Sequence, residues 1–400
     1  MRGFTQLGKH ACVEVTPTNE YDRPVSTNAD SDELRVSPLE LFFDLVFVFS
    51  ITQVAALLHA DTSIEGLVGG LLVLLLIWWS WSQYTWILNS LGNEATAMKL
   101  TLLAAMAAVL FMALAVPDAL GDGGMWFAAG YATVLLLGLA VFAVGAPEDQ
   151  RADRNRYAIP AFVGVLTVLV GGLFPGEARM VVWGIGMAIQ IGAAFFAGSS
   201  DFHIKPGHFA ERHALFVIIA LGEIVVAVGL AATGSERNLE ITVALAGAFL
   251  VVAVLWWAYF DWLALAMERA LAAVTGPERG STARDIFTLG HIPLIAGVVL
   301  YAVGAEEAVA HPSDHLEPAG RAALALGIGL VVIAYTFLAY RSDRFVTWER
   351  LVGGTVAIGA VLVLSAVSGG TILWIVALSI GISLLFERPR VTAAEHADSG

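Results

Sequence analysis

The chain reads as an all-α polytopic membrane protein of about twelve transmembrane helices, and three observations predict it. Of its 400 residues 58% are hydrophobic and only 14% charged, with a mean hydropathy of +0.76. The apolar residues come in long blocks rather than on alternating faces, the pattern of segments surrounded by lipid. The basic residues gather in every second connection, as the positive-inside rule expects of short cytoplasmic loops.

Blocks near the length needed to cross a bilayer, about 20 residues, run over 39–60, 65–90, 98–117, 125–145, 156–174, 178–197, 210–232, 239–265, 285–308, 319–340, 350–368 and 371–386. The first follows Ser37-Pro38-Leu39-Glu40, a capping box with Ser37 as N-cap and Glu40 at N3. Within it Glu40 and Asp44 stand four residues apart, neighbours on one helical face in an otherwise apolar stretch. The second span ends through Ile77-Trp-Trp-Ser-Trp-Ser-Gln-Tyr84, and the third carries Phe111-Met-Ala-Leu-Ala-Val116. The fourth is apolar throughout, the fifth follows Arg151, Arg154 and Arg156, and the sixth begins beside Arg179. The seventh opens with Glu211, Arg212 and His213 and holds Glu223 beside Gly222 about three turns further in. The eighth carries Leu255-Trp-Trp-Ala-Tyr-Phe-Asp-Trp262, and the ninth has His291 with Pro293 two residues later. Spans ten to twelve are apolar, with Arg341, Arg344 and Arg350 between the tenth and eleventh.

With both termini inside, all twenty-one Lys and Arg fall on cytoplasmic segments except Arg179, Arg237 and Arg321. A missed span would reverse that bias from its position onward, and no reversal occurs. The chain is therefore expected in the cell membrane, multi-pass, with cytoplasmic termini. The first 38 residues are polar and show no charged n-region followed by an apolar h-region, so no secretory signal is expected. The single cysteine, Cys12, excludes an intramolecular disulfide, a cysteine-rich zinc site or an iron-sulfur cluster. A net charge of −14 argues against a nucleic-acid partner.

The domain plan read from these blocks is a cytoplasmic tail over 1–38, a six-helix repeat over 39–197, a connection over 198–209, a second six-helix repeat over 210–386 and a cytoplasmic tail over 387–400. The tryptophan pair of the second span matches that of the eighth, setting Gln83 opposite Asp261; Glu40 corresponds to Glu211, and Phe111–Val116 has an echo in Leu300–Ala305. An even number of spans per half makes the repeat parallel, about an axis along the membrane normal, a plan in which the solute path lies between the halves. Tryptophans marking membrane interfaces explain the matches as well.

The segments Glu40-Leu-Phe-Phe-Asp-Leu-Val-Phe-Val-Phe-Ser-Ile-Thr-Gln53 and His208-Phe-Ala-Glu-Arg-His-Ala-Leu-Phe-Val-Ile-Ile-Ala-Leu-Gly-Glu223 resemble the bacterial low temperature requirement A (LtrA) family over nearly the whole chain. Where that family usually follows Gly-Glu with a small hydroxyl residue, this chain has Ile224. The family name records a cold-growth phenotype and implies no reaction or substrate. Phe-Phe-Asp-Leu-Val-Phe also resembles the opening helix of two-repeat endolysosomal potassium channels, an analogy of architecture only.

An ionised side chain in hydrocarbon is costly, so intramembrane acids are candidate functional residues. Asp44 reads either as a cation or proton site or as a partner of a basic neighbour, and Glu40 as a helix cap. Glu223, mid-span with no cation on its own helix, reads as a proton or cation site or as a protonated acid bonded across helices. Arg212 neutralises Asp44 or Glu40 if the first and seventh spans meet. Glu211, His213 and Asp261 complete the expected ion or solute path; a solvated helix end explains Asp261 equally. His291 reads as a bonded histidine near Pro293. His203, His208 and His213, five apart, point in three directions and share no metal, while His311, Asp314, His315 and Glu317 read as a solvated loop. No nucleophile elbow, zinc-protease helix, Walker loop or dinucleotide motif is present in a credible context.

The expected function is therefore a transporter or channel for a small ion or solute, not an enzyme, with no cofactor; the partners are the bilayer, the solute and possible further copies of the chain. An intramembrane lipid-modifying enzyme using Glu211, His213 or Glu223, or a structural membrane component, are the alternatives.

Overall fold

The computed structural model describes residues 36–92, 95–145, 151–197, 204–234 and 238–398. Cys12, His203 and Arg237 and the expected tail over 1–38 (but for its last residues) lie outside them, as does the first half of the 198–209 connection. The described chain is helical: α1 (Pro38–Ala60), α2 (Ile64–Leu91), α3 (Thr96–Leu114), α4 (Gly124–Gly145), α5 (Arg151–Gly171), α6 (Gly176–Ala197), α7 (Pro206–Thr233), α8 (Leu239–Phe260), α9 (Leu263–Ala273), α10 (Gly276–Thr282), a π-helical turn (Ala283–Leu289), α11 (His291–Ala310), α12 (Pro318–Asp343), α13 (Trp348–Val363) and α14 (Gly369–Asp398).

All twelve expected blocks coincide with helices. Ten helical stretches among the described residues are long and apolar enough to cross a membrane, and α5 and α13 supply shorter apolar helices. Two boundaries differ. The eighth block breaks at Asp261–Trp262, after which α9 packs as an amphipathic helix with Leu263, Ala266, Met267 and Leu271 inward. The twelfth helix continues past residue 386 to Asp398, so the expected tail begins as helix.

Local signals set the starts. Ser37 accepts from the Glu40 N–H and the Glu40 carboxylate accepts from the Ser37 N–H at 2.8 Å, the reciprocal capping box. Ser63 and Asn238 cap α2 and α8. Pro38, Pro206 and Pro318 occupy first helical positions, where the missing N–H costs nothing. Between α1 and α2, the Ser63 hydroxyl and N–H bonded to Asp61 hold that exposed carboxyl below the usual carboxylate range.

α1 packs on α2 and α3, α3 on α4, α4 on α5 and α5 on α6; further along, α7 packs on α8 and α11, α11 on α12, α12 on α13 and α13 on α14. α1 also touches α7 and α11, and α2 touches α7 and α11. The tightest approach joins α11 and α12: a Cβ at Gly297 would lie 2.6 Å from the Gly327 carbonyl oxygen, and one at Gly327 would lie 2.7 Å from that of Gly297. Only glycine lets the two backbones pass, the small-residue packing that serves helices in lipid. Leu41, Phe42, Leu45, Phe111, Trp126 and Phe386 are exposed on the outside of the bundle, as lipid-facing side chains are.

Charges segregate by end. Lys205, Arg279, Arg284, Arg341, Arg350, Arg388 and Arg390 collect where α1, α7 and α11 begin, here termed the basic end. At the other end Arg179 donates to the Phe174 and Ala119 carbonyls at 2.9 Å and also to Gly121, and Arg321 donates to Leu316. These two exceptions to the charge bias tie down loop carbonyls.

Candidate functional site

The face of α1 that bears Phe43 and Phe47 also bears Glu40 and Asp44, so helical spacing turns both carboxylates inward. Asp44 is 1% exposed and Arg212 of α7 is fully buried. Asp44 Oδ1 accepts a hydrogen bond from Arg212 Nη2 and another from Trp81 Nε1 at 2.7 Å. The guanidinium lies 5.6 Å from the Trp81 ring centre and 5.9 Å from that of Phe43. Its Nη1 faces Glu40 Oε1 at 3.7 Å. Among the described residues Asp44 Oδ2 and the Arg212 Nε and Nη1 atoms have no hydrogen-bond partner.

His208 completes the set. Its Nε2 lies 3.1 Å from Glu40 Oε1 and its Nδ1 lies 3.1 Å from the Asn89 amide nitrogen. Because that amide donates, Nδ1 accepts and the ring proton sits on Nε2, aimed at Glu40. Asn89 also accepts from the Lys205 N–H at 2.8 Å and donates to the Lys205 carbonyl at 3.1 Å, which fixes the start of α7 against the end of α2.

These contacts settle the register of the two helices. Glu40 meets His208 and Asp44 meets Arg212 at the same separation, 168 residues, and Thr52 meets Glu223 at 171. Partners that advance together mean that α1 and α7 run parallel. Glu40 thus faces His208, while Glu211 lies one turn on at the surface and accepts the Val36 N–H at 3.3 Å.

The remaining expected path residues sit apart. Glu223 is 2% exposed and accepts from the Thr52 hydroxyl at 2.6 Å. It lies eleven residues beyond Arg212, about 16 Å along the helix. Ile224 beside it is buried. His213 Nδ1 donates to the Phe209 carbonyl at 2.9 Å; its Nε2 has no partner among the described residues, and Trp81, Phe209, Phe287 and His291 surround the ring. His291 is bonded on both nitrogens, to the Ile286 carbonyl and the Tyr259 hydroxyl. Asp261 ends α8 at the surface, 3.9 Å from Arg388, and does not join the cluster. Its expected counterpart Gln83 is buried, and Trp78 and Trp79 are buried where Trp256 and Trp257 are exposed. The difference follows from packing: α2 is covered on several sides, while α8 presents an outer face.

Sequence reasoning left out His208, Trp81 and Asn89 as partners. The signal was present, since Glu40 and Asp44 follow Pro38 by two and six residues, as His208 and Arg212 follow Pro206. It also missed a second buried pair: Arg350 holds Glu387 at 2.6 and 2.9 Å, Trp262 Nε1 donates to the same carboxylate at 2.9 Å, and the guanidinium lies 5.3 Å from the Tyr335 ring centre. Among the described residues no three His, Cys, Asp or Glu side chains gather to hold a metal ion.

Comparison with known proteins gives two findings. The model of the family described as bacterial low temperature requirement A protein (LtrA) matches residues 35–383. Uncharacterized protein RA0937 of Rhizobium meliloti (strain 1021) is 31% identical over 300 residues, which cover 71% of this chain and 72% of that protein.

Proposed function

The chain belongs to the bacterial low temperature requirement A family, and from that premise we propose that it is a transporter or channel for a small ion or solute, lying in the cell membrane with both termini cytoplasmic. The observation that carries this reading is the α1–α7 seam: two parallel helices, each the opener of one half of the chain, hold buried carboxylates at two depths. The like order of packing in the two halves supports a parallel two-repeat plan with the seam between them.

Asp44 and Glu223 are the two stations of the path. At Asp44 the Arg212 guanidinium holds Oδ1, so a passing cation or proton competes with Arg212 for the carboxylate; Glu40, held in place by His208, supplies the negative charge that receives Arg212 when it is displaced. At Glu223 the Thr52 hydroxyl donates to the carboxylate, which can exchange a proton or a small cation for that bond. Glu211, His213 and Asp261 lie off this line, and the reading assigns them no station. It involves no enzymatic step and no cofactor.

A structural role is the competing reading, favoured by the local partner that each acid already has. Flux separates the two. Purified protein in liposomes is expected to pass protons or a small cation, and Glu223→Gln is expected to abolish that flux while the protein keeps its elution profile and unfolding temperature. Native protein that passes no tested cation, anion or proton would leave the structural reading in place.

A further inference from the structure

α2 has a second working face, turned away from the seam. Trp78, Trp81 and Asn89 serve the seam and its surroundings, whereas Trp79, Gln83, Trp86 and Ser90, at helical steps of four, three and four, line a cavity of about 70 Å³. Phe142 of α4, Tyr157 of α5 and Thr288 and Arg284 of the π-helical turn form the other walls.

Accounting for the polar groups leaves a surplus. The Trp86 indole and the Ser82 hydroxyl both reach Thr288 Oγ1, at 2.9 and 3.3 Å, and the Ser90 hydroxyl donates to the Trp86 carbonyl. The Arg284 guanidinium is taken by Asp285 at 2.6 and 2.8 Å. Gln83 and Trp79, 5% and 3% exposed, have no partner for the Gln83 amide nitrogen, the Gln83 carbonyl or the Trp79 indole N–H among the described residues. Gly138 lets α4 run against the amide, since a Cβ there would lie 2.9 Å from Gln83 Oε1. Buried polar groups without partners are costly, and three such groups at one small cavity mark a place for a ligand.

Donors outnumber acceptors: two amide N–H groups and one indole N–H stand against one carbonyl. The ligand group is therefore rich in acceptors. The walls are aromatic and apolar and the nearest cation is already paired, so the group is uncharged. The cavity is smaller than the ~150 Å³ that encloses a benzene, and so holds the end of a molecule rather than the whole. We propose that it binds the carbonyl end of an acyl-chain amphiphile, the chemistry shared by a membrane-lipid ester and a free fatty acyl compound. Gln83 and Trp79 donate to that carbonyl, and Phe142 and Tyr157 flank the chain. This site needs only that the protein sits in a bilayer and stands whether or not the seam conducts.

The test uses the full chain in detergent and three photoreactive probes with a diazirine beside the carbonyl: a hexadecanoyl methyl ester, the free hexadecanoic acid and a phosphatidylcholine with the same chain. The ester is expected to label peptides of α2, α4 or α5 at the cavity, with unlabelled methyl hexadecanoate suppressing the labelling. Gln83→Leu and Trp79→Phe are each expected to reduce it by up to about tenfold, the loss of one hydrogen bond. The unfolding temperature of Gln83→Leu is expected to hold or rise, because an unpartnered amide gives way to an apolar group of similar size. Ala194→Phe, which fills the cavity from α6, provides the same loss should Gln83→Leu fail to fold. Equal labelling by phospholipid and ester assigns the site to bilayer lipid; labelling by ester and acid without phospholipid assigns it to a free amphiphile. Cavity labelling no greater than that of the outer helix faces, labelling unchanged by the substitutions, or labelling by the acid alone would overturn the proposal.

Discussion

At the residue scale, the Asp44–Arg212 pair is the most consequential contact in the molecule. Both charges are out of solvent, and a second hydrogen bond from Trp81 offsets part of the cost of removing the carboxylate from water. Removing one partner strands the other. Arg212→Met is therefore expected to cost about 3–5 kcal/mol, read as a fall in unfolding temperature of the purified protein in detergent. The double variant Asp44→Leu with Arg212→Met is expected to regain most of that loss, since apolar groups of similar volume replace a buried pair at little net cost. Recovered stability without recovered flux would identify the charges as functional rather than merely structural. The need of a cation for Asp44 was readable from sequence, because an ionised carboxylate in an apolar span is costly unless it is paired. The tryptophan that finishes the site was not, because its role depends on which face of α2 meets α1.

Two elements rest on single small residues. The start of α1 depends on Ser37, and Ser37→Ala is expected to lower stability by about 1 kcal/mol, seen as earlier unfolding without loss of yield. The capping box was legible because it is local, with donor and acceptor three residues apart. The α11–α12 contact is the opposite case. Gly297→Val is expected to force the helices apart at Gly327, at a cost of about 1–3 kcal/mol for overpacking, visible as aggregation or a lower unfolding temperature. No sequence period announces that contact, because the glycines belong to different helices. The break of the eighth block at Asp261–Trp262 was hidden for a related reason: the apolar run continues across it, and only the packing of α9 on α7, α8 and α12 requires the turn.

For the molecule as a whole, the segregation of charge fixes an expected orientation. In a Cys12→Ala background, a cysteine replacing Arg390 is expected to resist a membrane-impermeant maleimide in intact cells, whereas one replacing Ser313 is expected to react. The reverse pattern would invert the topology. Arg179 and Arg321 do not weaken the expectation, since both are spent on loop carbonyls at the other end.

What the sequence determined by itself was the class and most of the helices. These follow from hydropathy, local capping and alternation of basic loops, all of which act along the chain. What only the tertiary structure decided was the lateral arrangement: that α1 and α7 run side by side with Glu40 against His208 and Asp44 against Arg212, that Glu223 finds Thr52, and that Gln83 faces a cavity while Asp261 faces solvent. In a membrane the hydrophobic effect drives each helix into lipid but does not choose its neighbours. That choice falls to small-residue contacts, aromatic packing and a few buried polar bonds between distant segments, and these become readable only when the helices are assembled.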